Sequence, residues 1–392
     1  MSVIKTICQD VNLYHKKIEE LQEIILTNIV LTGQIPAPTF EEAERVKFFL
    51  ERMSSYPVDE CVHDNYGNPI AVIRGIDSNK PPIFLVAHLD TFYSRMVEHH
   101  YTINEYTVNG AGILDNTTGV GVLLSLPEII KHLDIRFQSD LVLIAPIQSI
   151  GEGNLRGIRR FLKQWGKPIR AALCLEGGEL GRLSYYADGM MRVLADCKVN
   201  VKDGWNRPYV PNAILLLNEL VNHILKIRIP QKPRTSIIIN TVNGGTKYGN
   251  IPYRAHLGFE IHSDSDKITR QLYKNIQEIV DSMVHEYEIE LNLRLISNIH
   301  AANLRYNHPL VKSAVSIMKS LDVKPIINPS ESELSVFLAR KIPALTLGCT
   351  HGKNYHLENA EIQIKPLFTG IAQILGILFA IDQGVCDNEK KE

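Results

Sequence analysis

Apolar residues recur at helical spacing through residues 3 to 31 (Ile18, Leu21, Ile24, Ile25, Ile29) with charges between them, which predicts an amphipathic surface helix. Gly33 and Pro36-Ala37-Pro38 end it, and Thr39 with Glu42 in the capping-box position starts a second helix through Phe48, Phe49 and Leu50. Short strands are predicted near 60 to 63 and 70 to 74, joined by the turn-forming Asn65-Tyr66-Gly67-Asn68. The pattern then changes. Ile83-Phe-Leu-Val-Ala87 is continuously apolar, as a strand buried on both faces of a parallel sheet requires, and it stops at His88 and Asp90. Two similar runs follow: Leu141 to Ala145 leads into Gly151-Glu152-Gly153, and Ala171 to Leu175 ends on Glu176. Between the first and second of these runs, glycines flank Asp115-Asn116 just before a helix that ends near His132.

From about 188 to 298 the order becomes strand, helix, strand, strand, helix, strand, the ferredoxin-like split unit, and it reads as an insertion. The earlier pattern resumes with a helix at 308 to 321, a strand at 324 to 327, a helix near 332 to 340, a strand from Pro343 to Leu347 and a closing amphipathic helix from 366 to about 382. The predicted fold is α/β. Residues 1–187 and 299–392 form a mostly parallel central sheet flanked by helices, and 188–298 form an inserted β-α-β-β-α-β lid.

Composition narrows the function classes. With 45% hydrophobic and 22% charged residues the chain is ordinary for a soluble globular protein, and a net charge of -1 gives no reason to expect nucleic acid or a membrane surface as partner. The six cysteines are scattered with no CxxC pair, which argues against a disulfide framework and a thiolate zinc site and favours a reducing cytoplasm. No signal peptide and no run of 18 apolar residues is read from the sequence.

The polar groups at strand ends are His88, Asp90, Asp115, Glu152, Glu176 and His356, with His351 and Glu361 nearby. Two imidazoles and several carboxylates without thiolates suit a pair of divalent ions, zinc first and manganese or cobalt as alternatives, with one carboxylate bridging. Two such ions sharing a water are what amide hydrolysis needs.

This order resembles the co-catalytic zinc metallopeptidase and deacylase family of carboxypeptidase G, peptidase T, aminoacylase and succinyl-diaminopimelate desuccinylase. The resemblance covers most of the chain, including Ile35-Pro36, Glu333 ahead of Ile342-Pro343, Thr346-Leu-Gly348, Asn212-Ala-Ile214 and Gly249-Asn250-Ile-Pro252. It implies that His88, Asp115 and Glu176 hold one metal and Asp115, Glu152 and His356 the other, with Asp90 orienting His88. It also implies a homodimer formed through the lid. Relatives with an earlier lid, or none, fit less well, although Asp115-Asn116 is similar to theirs.

The chain departs from that family at three places. Alignment on Leu155-Arg156-Gly157 puts Glu152 on the metal-binding glutamate and Gly151 on the general base, so the catalytic glutamate is missing. Gln148, Ser149 and Glu179 are the nearest substitutes. In the lid, Gly204-Trp205-Asn206-Arg207 stands where a histidine is usual, and His262 where an arginine holds a substrate carboxylate. Asn250, His262 and Arg207 are the substrate-binding candidates, with Arg254 a further cation. Two functional readings follow. One is a metal-dependent amidohydrolase of exopeptidase or N-acyl-amino-acid deacylase type, acting on a small peptide or acylated amino acid. The other is a catalytically impaired relative that serves as a metal- or ligand-binding assembly module.

Overall fold

The continuous apolar runs become neighbours in one sheet. The computed structural model describes residues 3–199 and 212–387. Its first unit begins with helices α1 (Val3–Glu19), α2 (Gln22–Gly33) and α3 (Ala43–Ser54) and strands β1 (Glu60–His63), β2 (Pro69–Ile73) and β3 (Ile83–Val86). Next come the short strands β4 (Thr102–Ile103) and β5 (Thr107–Asn109), then α4 (Thr118–His132), β6 (Leu141–Ile144), α5 (Arg156–Trp165), β7 (Ala171–Glu176) and β8 (Leu183–Ser184). The sheet order is β1, β2, β6, β3, β7, the strand Ala344–Gly348, and β8. Its four inner strands, β6 to Ala344–Gly348, run parallel, while β1, β2 and β8 add antiparallel edges. Every residue of β3 and β6 is buried, which is why neither shows polar alternation.

The chain divides into two units after Tyr186 and before Asn303. The inserted unit is an antiparallel sheet in the order Thr235–Gly244, Arg254–Ser263, Gly189–Lys198, Glu290–Ile299. Two helices, α6 (Ala213–Leu225) and α7 (Asp266–Tyr287), complete the β-α-β-β-α-β order. Leu216, Leu217 and Leu220 of α6 and Leu272, Ile276 and Val280 of α7 pack with Val193, Ala195, Leu257 and Phe259 into a core of its own. Asn212 caps α6 by accepting the N–H of Ile214 at 2.9 Å.

In the first unit, α8 (Pro309–Ser320), α9 (Leu334–Ala339) and α10 (Ile364–Asp382) close the fold. By length and composition alone the stretch Ile113–His132 and helix α10 could cross a membrane, but 89% and 78% of their apolar windows are buried inside the protein. Their apolar length is core.

Three local expectations are corrected. The helix expected over 3 to 31 is two helices that break at Glu20-Leu21, because α1 packs on α8 and α10 while α2 packs on α4, and one straight rod cannot reach both. The capping box does not form: Thr39 Oγ1 donates to Asp90 Oδ2 at 2.8 Å, Glu42 Oε1 accepts the Gln148 N–H at 2.9 Å, and α3 starts only at Ala43. The Thr39 hydroxyl gains more by donating to a buried, charged carboxylate than by accepting from a helix-end N–H that water can satisfy. The strand expected at 324 to 327 reduces to a single bridge between Ile326 and Arg182.

Arg45 braces the strand end from below. It is 1% exposed and donates to Ile35 O at 3.0 and 2.6 Å and to Leu89 O at 2.9 Å, between the two residues of the His-x-Asp pair. Burial pushes its pKa down to about 10, so the guanidinium stays charged at neutral pH. Arg45→Met keeps the apolar stem and leaves both carbonyls unpaired. We expect urea denaturation to show a loss of about 2–4 kcal/mol; an unchanged midpoint would mean that water replaces the guanidinium.

Candidate metal centre

Parallel neighbours bring their carboxyl ends to the same edge, so His88 just beyond β3 and Glu176 at the end of β7 are adjacent by construction. Asp115 arrives from a different direction, on the loop Ile113–Thr117 that precedes α4 and contains a cis Asp115-Asn116 peptide. Asn116 Nδ2 donates to Leu175 O at 2.8 Å and ties this loop to β7. Glycine makes the approach possible: a Cβ on Gly177 would lie 2.6 Å from Leu114 O, and one on Gly119 2.3 Å from Asn116 Oδ1.

The result is a trio. One donor atom each from His88, Asp115 and Glu176 lie within 4.8 Å of one another, the one such group of three among the described residues. His88 Nε2 is 3.0 Å from Asp115 Oδ1, and His88 Nδ1 is 3.1 Å from Asp90 O and 3.6 Å from Asp90 Oδ1. Asp90 is fully buried and accepts from Thr39 Oγ1, from Ser149 N at 2.9 Å and from Ile150 N at 2.9 Å, so it is held rigidly behind the imidazole.

The electrostatics are those of a cation site. Burial pushes the Glu176 carboxyl up, the nearby Asp115 and Glu333 carboxylates add to it against Arg182 and His88, and its pKa reaches about 7. For His88, burial favours the neutral ring, but the hydrogen bonds to Asp115 and Asp90 outweigh it and hold the pKa well above the ordinary value. Burial works against ionisation of Asp90 too, and the His88 ring, the Ile150 N–H and the Thr39 hydroxyl overcome it and lower its pKa. Crowded carboxylates with one imidazole, oriented from behind, form a nitrogen and oxygen donor set that fits a zinc-like divalent ion.

The remaining candidates are placed less closely. His356 comes from a left-handed position (φ 61°), is two-thirds exposed, and has Nδ1 3.9 Å from Asp115 Oδ2. Glu152 is exposed on the short turn Gly151–Gly153 and outside the trio, so Asp115, Glu152 and His356 do not converge as the first set does. A solvated carboxylate stays apart from a second one unless a cation lies between them. Gly151 has φ 54°, and nothing lies within 4 Å of where its Cβ would be. Of the substitutes for the missing base, Ser149 donates its hydroxyl to Glu333 Oε1 at 2.5 Å, and Gln148 is engaged through its N–H with Glu42.

His351 lies on the wall of a separate cleft, and Glu361 binds Asn109 Nδ2 at 2.9 Å and Lys353 at 3.0 Å. In the inserted unit, His262 is 3.0 Å from Glu260, which also accepts from Arg192 at 2.5 Å, and Arg254 is paired with Asp196 at 3.1 Å. Asn250 Nδ2 donates to Thr246 Oγ1 at 3.4 Å in an exposed turn. Arg207 and its neighbours Gly204, Trp205 and Asn206 lie outside the described residues. The supports that sequence reasoning did not assign are Thr39, Arg45, Ser149 and the buried Glu333. The sequence named Thr39 as a helix cap, Ser149 as a substitute base and Glu333 as a family landmark, and carried no signal for Arg45.

Residues 68–196 match the family model described as peptidase family M28. No curated protein sequence matches the chain. Among solved structures, aminopeptidase PepT from Bacillus cereus is 16% identical over 92% of this chain and 98% of its own, with a TM-score of 0.71. The di-peptidase Dug1p from Saccharomyces cerevisiae is 14% identical over 95% and 99%, with a TM-score of 0.79, and human carnosine dipeptidase 1 is 10% identical over 97% and 100%, with a TM-score of 0.73. At such identities the likeness is one of fold. It extends over nearly the whole of each chain, inserted unit included.

Proposed function

We propose that this chain, which shares its fold with aminopeptidase PepT and an M20 family metallo-carboxypeptidase and matches the M28 peptidase model over residues 68–196, is a metal-dependent exopeptidase-type hydrolase acting on dipeptide-sized substrates. The observation that carries this reading is the convergence of His88, Asp115 and Glu176 at the carboxyl edge of the sheet. His88 through Nε2, Asp115 and Glu176 would hold one divalent ion; Asp115, His356 and Glu152 are the ligands available to a second. Bound there, such ions polarise an amide carbonyl and make water nucleophilic at neutral pH. The chain's own part is orientation. Asp90 and the Ser149 and Ile150 amides fix the imidazole, and the Asn116 bond to Leu175 fixes the loop that carries Asp115.

The relatives named as an aminopeptidase and dipeptidases favour free dipeptides over N-acyl amino acids, which remain the alternative substrate class. Homodimerisation through the inserted unit is supported by its edge strand Thr235–Gly244, mostly exposed, with Ile238 and Val242 about half uncovered. Light scattering tests this: a mass near 44.2 kDa at working concentration would count against the dimer. Buried thiols at Cys174, Cys197 and Cys349 favour a reducing, cytoplasmic setting.

The experiment for the function is metal analysis of the purified protein followed by hydrolysis of a dipeptide and N-acyl-amino-acid panel. About two ions per chain with dipeptide turnover is the expected result. A chain that takes up no zinc, manganese or cobalt would sink the proposal.

Protons and metal compete for the same donors, which sets the sign of the pH dependence. Glu176 and His88 both have raised pKa values in the folded protein, so between the ordinary carboxylate value of 4.5 and about 7 the metal-free fold binds more protons than the unfolded chain. The contribution of these two groups to stability is therefore fully present below about 4.5 and falls as pH rises, first through Glu176 by about 7 and then through His88 above its ordinary value, whereas Asp90, with its lowered pKa, contributes in the opposite sense at acid pH. Metal reverses the trend. Thermal unfolding is expected to show a zinc-induced gain that is small at pH 5.5 and grows toward pH 8, with proton release seen as buffer-dependent binding enthalpy. A gain independent of pH would mean that these two residues are not ligands.

A further inference from the structure

Apart from the metal centre, the first unit carries a cleft of about 610 Å³ whose walls come from α1, the 321–326 segment, His351 and the first turns of α10. Its floor is apolar, with Leu180 and Val323 buried and Ile326 half-buried. Its rim is basic: Lys324, Lys365, His15 and His351 face one carboxylate, Asp322. Among the described residues neither lysine forms an ion pair, in contrast to Lys353, which is tied to Glu361 at 3.0 Å. On a chain whose net charge is -1, this is a local excess of positive charge around a greasy floor.

The walls are also held by backbone bonds. Ile326 N–H donates to Gly181 O at 2.7 Å, Leu183 N–H to Ile326 O at 2.9 Å, and Leu180 N–H to Thr350 O at 2.8 Å. A Cβ on Gly181 would stand 2.5 Å from Lys324 O, so the chain that carries Lys324 is packed directly on the floor. Thr350 N–H and Cys349 N–H donate in turn to Gly177 O and Glu176 O. The cleft thus adjoins the metal centre through shared backbone and uses none of its ligands.

We infer that this cleft binds a small phosphomonoester whose phosphate meets Lys324 and Lys365 and whose apolar or aromatic body rests on Leu180, Val323 and Ile326. The volume lies in the range of small-molecule sites, roughly 300–1,000 Å³. Two unpaired ammonium groups satisfy a dianion as point charges without requiring the flat fork of arginine. The apolar floor would be left bare by inorganic phosphate alone.

The test is a titration of the full-length protein with phenyl phosphate, inorganic phosphate and phenol, followed by the ring resonances of its histidines. Phenyl phosphate should shift His15 and His351 saturably and bind at least about tenfold more tightly than either half-ligand. The K324Q/K365Q protein should lose about tenfold in affinity, the share expected of two partly exposed charges. Both substitutions are on exposed side chains and leave the core untouched. Equal binding to the double variant, no saturable shift, or shifts confined to His88 and His356 at the metal centre would each overturn the inference.

Discussion

His88→Ala is expected to abolish both metal retention and hydrolysis. One ligand's share of the roughly 10–16 kcal/mol that a tetrahedral zinc site supplies is about 3 kcal/mol, so affinity should fall by about 10²–10³-fold. The substitution also removes the cation that faces Asp115 and Asp90, at 3.0 and 3.6 Å, which leaves the buried Asp90 and the half-buried Asp115 without their counter-charge. The decisive measurement is the zinc-dependent gain in unfolding temperature. It should be present in the wild type and absent in the variant at the same metal concentration. Exposed His356 is the comparison: with its ring two-thirds in solvent, His356→Ala should weaken metal binding less and leave the metal-free stability unchanged. If the two variants behaved alike, the trio would not be the principal site.

Gly151→Glu should raise dipeptide turnover by about 10²–10⁴-fold if the missing base is what limits the wild type. The position has space for a side chain, since nothing lies within 4 Å of where a Cβ would stand. Its backbone is left-handed at φ 54°, so any residue other than glycine costs about 1–2 kcal/mol. That loss is tolerable for a fold of this size. Gly151→Gln supplies the same bulk and strain without a proton acceptor, so a gain confined to the glutamate variant identifies base catalysis. A wild type already as fast as the variant would mean that proton transfer is handled elsewhere, with the Ser149–Glu333 pair, joined at 2.5 Å, the first place to look. A variant that binds two ions and still turns nothing over would favour the binding-module reading.

Much of the fold was legible because its signals are local. A run such as 83 to 87 is apolar at every position only when both faces of a strand are covered, and a polar residue directly after it marks the strand's exit from the core. The β-α-β-β-α-β order of the inserted unit was legible for the same reason: alternation in Gly189–Lys198 and helical spacing in Asp266–Tyr287 each lie within one segment. Helix starts were less so. Thr39 and Glu42 have the spacing of a capping box, and the spacing alone says nothing of Asp90 and Gln148, whose stronger claims on those side chains arise from residues far along the chain.

By itself, then, the sequence determined the sheet, the inserted unit, and the presence of His88, Asp115 and Glu176 at ends of elements, because periodicity and polarity breaks are properties of short stretches. Only the tertiary structure decided that these three meet within 4.8 Å while Glu152 stays in solvent, and that Arg45, Ser149 and Glu333 support the site from behind. It also decided that Lys324 and Lys365 share a cleft with His15 and His351. Those outcomes depend on competition among donors, acceptors and charges brought together by the parallel sheet, and burial, which sets the strength of each contender, exists only once the chain has folded.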